Sequence, residues 1–118
     1  MKHLPIKPII KFADFEKLDI RVGMIEKVEE VADSDKLVRL TVNFGEFKRI
    51  ILVGMKKERE DVKTEIEGKQ ALFIVNLESR KMLGEVSEGM LFDIGYSNEI
   101  TPVLAMPEKE VPNGACAG

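Results

Sequence analysis

Residues 37–44 read LVRLTVNF, and their alternation limits the possible folds more than any other feature of the chain. Val38, Leu40, Val42 and Phe44 fall on one side, with Arg39, Thr41 and Asn43 on the other. That is the period of a half-buried β-strand, not of a helix. Gly45 in the following GEFK predicts a hairpin turn into another strand, RIILVGM. IRVGMIEKVEEV starts with the same two-residue period and slips near Gly23, where a bulge or sharp bend is expected. KQALFIVNL reads as a buried strand, GMLFDIG as another, and ITPVLAM closes the series with Pro102 at an edge or strand entry. KKEREDVKTEIEGK interrupts them: five cations balance five anions, and Val62 and Ile66 at i, i+4 spacing suit a short surface helix or a solvated loop. Five or six short strands with glycine at bends predict a small closed or nearly closed barrel. Composition alone does not separate this from a small sandwich.

At 118 residues the chain is long enough for one domain with one core. Residues 1–13 are expected to form an N-terminal arm, and 14–118 the domain. Pro5, Lys7 and Pro8 break up any leader-like apolar run, and no run reaches the ~18–20 residues that span a bilayer. A cytoplasmic protein without membrane association is therefore expected. The net charge of −3 argues mildly against a bulk nucleic-acid binder, although a local basic patch can outvote it. Cys116 is the only cysteine, which excludes an intramolecular disulfide and a cysteine-based zinc site. His3 is the only histidine, which excludes a histidine-based triad or metal site. Asp33 and Asp35 read as turn formers, and no phosphate loop is present. No enzyme activity and no cofactor are expected, which leaves binding.

The stretch VNLESRKMLGEVSEGML, residues 75–91, concentrates the binding chemistry. Asn76 brings an amide that both donates and accepts. Arg80 and Lys81 suit phosphates, expected together on one exposed face, the first as a bidentate fork and the second as a point charge. Ser87 adds a hydroxyl, and Met82, Leu83 and Met90 add adaptable apolar surface. Read without function, the same stretch is an exposed hairpin with a basic pair for solubility and methionines in the core.

DIRVG at 19–23, SDKLVRLTV at 34–42, ILVGM at 51–55 and the 75–91 stretch occur in an order that resembles the tRNA-binding domain family. That family is found at the C-terminus of many methionyl-tRNA synthetases and as small free-standing tRNA-binding proteins. The resemblance runs from about Asp14 to Asn113. It implies an all-β fold, an oligonucleotide-binding five-stranded barrel (OB-fold) with short helical connections and a C-terminal dimerisation extension in ITPVLAMPEKEVPNGA. It also implies a non-catalytic homodimer that reads the shape of tRNA, with an aminoacyl-tRNA synthetase as a further partner. The residues that match the family's RNA-binding positions are Asn76, Arg80, Lys81, Ser87 and Met90, together with Lys36 of the DKL turn. Asp19 and Arg21 match the first motif and are expected to form an internal ion pair. Ser79 stands where the family usually has proline, and Met24 where relatives often carry lysine. Glu78, Glu85 and Glu88 flank the site and weaken its expected attraction for phosphate. A second branch of the family resembles an export-associated chaperone, so a peptide-binding, chaperone-like role is the alternative.

Overall fold

A computed structural model describing residues 1–118 contains a short helix α1 (Phe12–Phe15) and three long strands, β1 (Ile20–Glu30), β2 (Val38–Asn43) and β3 (Lys48–Val53). Helix α2 (Val62–Ile66) precedes β4 (Gln70–Ile74). A small hairpin follows, β5 (Arg80–Met82) and β6 (Glu85–Ser87), then β7 (Met90–Leu91), β8 (Asp93–Ile94) and β9 (Val103–Leu104). The main sheet has five strands in the order β3-β2-β1-β4-β7, every pair antiparallel.

The alternation of residues 38–44 decides the inside of this sheet. Val38, Leu40 and Val42 are wholly buried, and Phe44 nearly so. The Phe44 ring meets Phe73 of β4 edge-on at 5.4 Å, joining the two halves of the core. Helix α2 is short because its purpose is local. Asp61 caps it, accepting hydrogen bonds from the Thr64 backbone N–H at 3.2 Å and hydroxyl at 2.8 Å. Its Ile66 is fully buried in the core, with Val62 packed beside it.

The sheet bends round until β3 meets the segment that follows β6. The backbone N–H of Glu88 donates to the Ile50 carbonyl at 2.8 Å, and the Glu88 side chain accepts from the Ile50 N–H at 3.0 Å. Arg49 adds two bonds of 3.1 Å to the Val75 and Glu88 carbonyls. The result is a nearly closed five-stranded barrel of the OB type.

Three details differ from expectation. Gly23 stays in regular register opposite Ala71, and the irregularity in β1 lies between Ile25 and Lys27. The glycine is there for space: a β-carbon on it would lie 2.5 Å from Val42 Cγ1 and 2.7 Å from Phe44 Cε1. Second, β9 pairs with β8 in a separate two-stranded ribbon instead of extending the barrel sheet. Third, the final residues fold back on the same chain. Val22 N–H donates to Ala115 O at 2.9 Å, Gly114 N–H to Val22 O at 2.7 Å, and Ala117 N–H to Ile20 O at 2.8 Å. This tail lies along the half of β1 that β2 leaves free. Gly114, at φ 93°, permits the close approach to the Phe44 carbonyl. No helix is long and apolar enough to cross a membrane.

Candidate nucleic-acid interface

Lys36, Arg80 and Met90 come from three distant parts of the chain and line one groove of about 470 Å³. Each is held there by its own local structure. Lys36 sits in a turn built on Ser34, whose hydroxyl accepts from the N–H groups of Lys36 at 3.2 Å and Leu37 at 2.9 Å. Asp35, beside it, is occupied by Lys57 at 2.9 Å, and that ammonium holds the carboxyl below its usual range. Met90 pairs through its backbone with Ile74 in β7 and leaves its side chain half-exposed. Arg80 begins β5 opposite Ser87. Lys36, Arg80 and Lys81 are all exposed and enter no ion pair.

Arg80 and Lys81 do not share a face. Successive residues of a strand point to opposite sides. Arg80 lines the groove together with Met82, whereas Lys81 lies opposite Val86, which is exposed. The basic pair is thus divided between two surfaces.

Ser87 requires a correction. It is buried, its hydroxyl accepting from the Leu52 N–H at 3.0 Å and donating to the Gly89 carbonyl at 3.2 Å. It helps close the barrel and is not available to RNA. Asn76 is exposed, but both ends of its amide are engaged. Its Nδ2 donates to the Lys17 carbonyl at 2.7 Å, and its Oδ1 accepts from the Asp19 N–H at 2.8 Å. It ties the end of β4 to the segment before β1 and does not line the groove.

Two of the three flanking glutamates are also withdrawn. Glu85 forms a 2.6 Å bond to Arg39 Nε across to β2, which lowers the Glu85 pKa and raises that of Arg39. Glu88 is bonded at the barrel seam. Only Glu78 of the three stands free. Asp19 and Arg21 do form a two-point pair, at 2.8 and 3.1 Å, and the guanidinium lowers the Asp19 pKa. Arg49 has no counterpart in the sequence reading. With Arg21 it flanks the Phe47 ring, at 5.0 and 5.7 Å, and its signal, an arginine next to Lys48 at the polar start of a strand, is weak.

The groove is not purely cationic. Glu58 and Asp93 line it too, beside Lys57 and the exposed Tyr96. Desolvation raises the Glu58 pKa, the nearby Asp93 charge raises it further, and Arg59 partly offsets this. Asp93 is exposed as a residue, yet partial burial of its carboxyl raises its pKa as well.

Comparison with known proteins agrees with this barrel. A family model described as "Putative tRNA binding domain" matches residues 20–116. The chain is 42% identical over 108 residues to a methionine–tRNA ligase of Methanothrix thermoacetophila, covering 92% of this chain and 15% of that protein. It thus spans a small fraction of the curated relatives it matches. Among solved structures, a MetRS related protein from Pyrococcus horikoshii superposes with a TM-score of 0.86 at 31% identity, over 95% of this chain and all of that one. The chaperone CsaA from Bacillus anthracis superposes with a TM-score of 0.78 at 25% identity, over 94% of this chain and all of that one. With the match covering the barrel from β1 to the returning tail, the chain belongs to the tRNA-binding domain family.

Proposed function

We propose that this protein is a non-catalytic RNA-binding module that recognises folded tRNA by shape and acts as a homodimer. The observation that carries this reading is the convergence of two unpaired cations, Lys36 and Arg80, with Met90 on one groove. Guanidinium and ammonium groups meet phosphates, and a half-exposed methionine suits a sugar or the face of an unstacked base. Lys81 reaches phosphate from the other side of the β5–β6 hairpin. Asn76 and Ser87 hold the supporting backbone. Few cations act per site, so binding is weak for one copy. A second copy raises the apparent affinity when both sites reach one RNA.

The dimer reading rests on uncovered apolar surface. Ile6 and Ile9 on the arm are 99% exposed, and Phe12 on α1, Ile94 and Val103 on the β8–β9 ribbon, and Met106 just beyond it are also exposed. These uncovered side chains are what a second copy would bury. An aminoacyl-tRNA synthetase is a further partner in this reading, tested by co-purification, and a cytoplasmic location follows from the role.

The experiment is an electrophoretic shift of unfractionated tRNA across a salt series. Binding at micromolar protein in about 50 mM salt is expected, with each neutralised phosphate contributing about −0.7 to −0.9 to the slope. No shift under those conditions removes the reading. A second reading is supported by the groove's apolar walls, which include Leu37, Leu52, Met55 and Phe92, and by the likeness to a chaperone. In that case the protein holds unfolded peptide. Suppressed aggregation of a model unfolded protein without a tRNA shift favours it.

A further inference from the structure

The tip of the β5–β6 hairpin is the two-residue turn Leu83–Gly84, with φ of 49° and 79°. Hairpin turns with positive φ at both central positions favour asparagine or glycine, because a β-carbon crowds the neighbouring carbonyl. Gly84 meets that demand and Leu83 does not. Nor does leucine gain burial in exchange: its side chain is outside the core cluster and the residue is 61% exposed. A strained apolar residue held in solvent at the apex of a hairpin lacks a reason within the chain.

The two sides of the hairpin supply the context. Arg80 and Met82 face the groove. Lys81 lies on the opposite side, across from Val86, which is 47% exposed. The hairpin therefore carries an unpaired cation on each face and an apolar edge at its turn, and it is held in place on the groove side by Glu85 to Arg39 of β2 and Ser87 to Leu52 of β3. Phosphates on both sides suit the cations. An apolar edge gains from a nucleobase only where the base is out of its stack, as in loops and bulges, since the A-form major groove is too narrow to read.

We propose that the β5–β6 hairpin enters folded RNA as a wedge, with Leu83 against an unstacked base and Arg80 and Lys81 on the backbone segments to either side. This rests on the RNA-binding reading above. Binding is measured with unfractionated folded tRNA and with a fully paired RNA duplex of similar length. Leu83→Asn removes the apolar edge and suits the turn better, so its thermal midpoint is expected to equal or exceed the wild-type value. Its affinity for tRNA falls about tenfold, the scale of losing one partly buried leucine contact, while its affinity for the duplex is unchanged. Leu83→Met, equally apolar, retains tRNA affinity. A Leu83→Asn variant that binds tRNA like wild type, or that loses both RNAs equally, overturns the wedge alone. Wild-type protein that shifts no tRNA overturns the wedge and the RNA-binding reading together.

Discussion

Ser87 separates the two uses a polar residue can have. Its hydroxyl is the partner of a buried Leu52 N–H, so Ser87→Ala strands that donor. A loss of about 1–3 kcal/mol in chemical denaturation is expected, with RNA affinity of the folded protein unchanged. Gly23→Ala forces a β-carbon against Val42 and Phe44 and is expected to destabilise by about 1–3 kcal/mol in the same measurement. Both residues stand out in the sequence, but their reasons do not. A serine beside a basic pair suggests a ligand contact, and a glycine in a strand suggests a bulge. Only the packing of β2 and β3 behind them reveals that one completes a hydrogen bond and the other makes room for two side chains. The Asp19–Arg21 pair was legible because both partners are local, two residues apart on adjoining backbone.

At the scale of elements, strand periodicity carried most of the barrel: Val38 to Phe44 alternate in the chain and are buried in the fold. The groove was less legible because its walls come from the Ser34 turn, the β5–β6 hairpin and β7, and no local pattern encodes their meeting. Hairpin registry was legible only in part, since RK reads as a pair until strand alternation divides it. The division has a testable result. Arg80→Ala and Lys81→Ala should each weaken tRNA binding and reduce the salt slope by about 0.7–0.9, and their effects should add because the two side chains lie on opposite faces of the hairpin. The groove acids make a further prediction. Glu58 and Asp93 face Lys36, Lys57, Arg80 and Tyr96, and their raised pKa values mean they protonate before ordinary carboxylates as pH falls. Their repulsion of phosphate then disappears, so tRNA affinity should rise as pH falls through their raised values. Asp93→Asn should bind more tightly at neutral pH, with a flatter pH profile in the shift experiment.

The whole molecule responds to pH in the opposite sense. Asp19, Glu26, Asp35, Asp61, Glu67 and Glu85 all have lowered pKa values, through bonds to Arg21, Lys48, Lys57, Thr64, the Val28 N–H and Arg39. Their contribution to stability is complete above the ordinary carboxylate range and is lost as pH falls through their lowered values. Glu58 and Asp93 oppose this, since their raised values favour the fold below that range and cease to do so as pH rises through them. Thermal midpoints followed by circular dichroism should therefore drop in acid, with the six outweighing the two. Sedimentation should give twice the chain mass, and Ile6→Glu/Ile9→Glu should give a monomer that keeps the barrel. The returning tail has one more consequence. By lying along β1 it occupies hydrogen-bonding positions that another polypeptide would otherwise zip onto, so a chain shortened before Val111 would expose a bare, sticky seam and should assemble into fibrils that bind thioflavin.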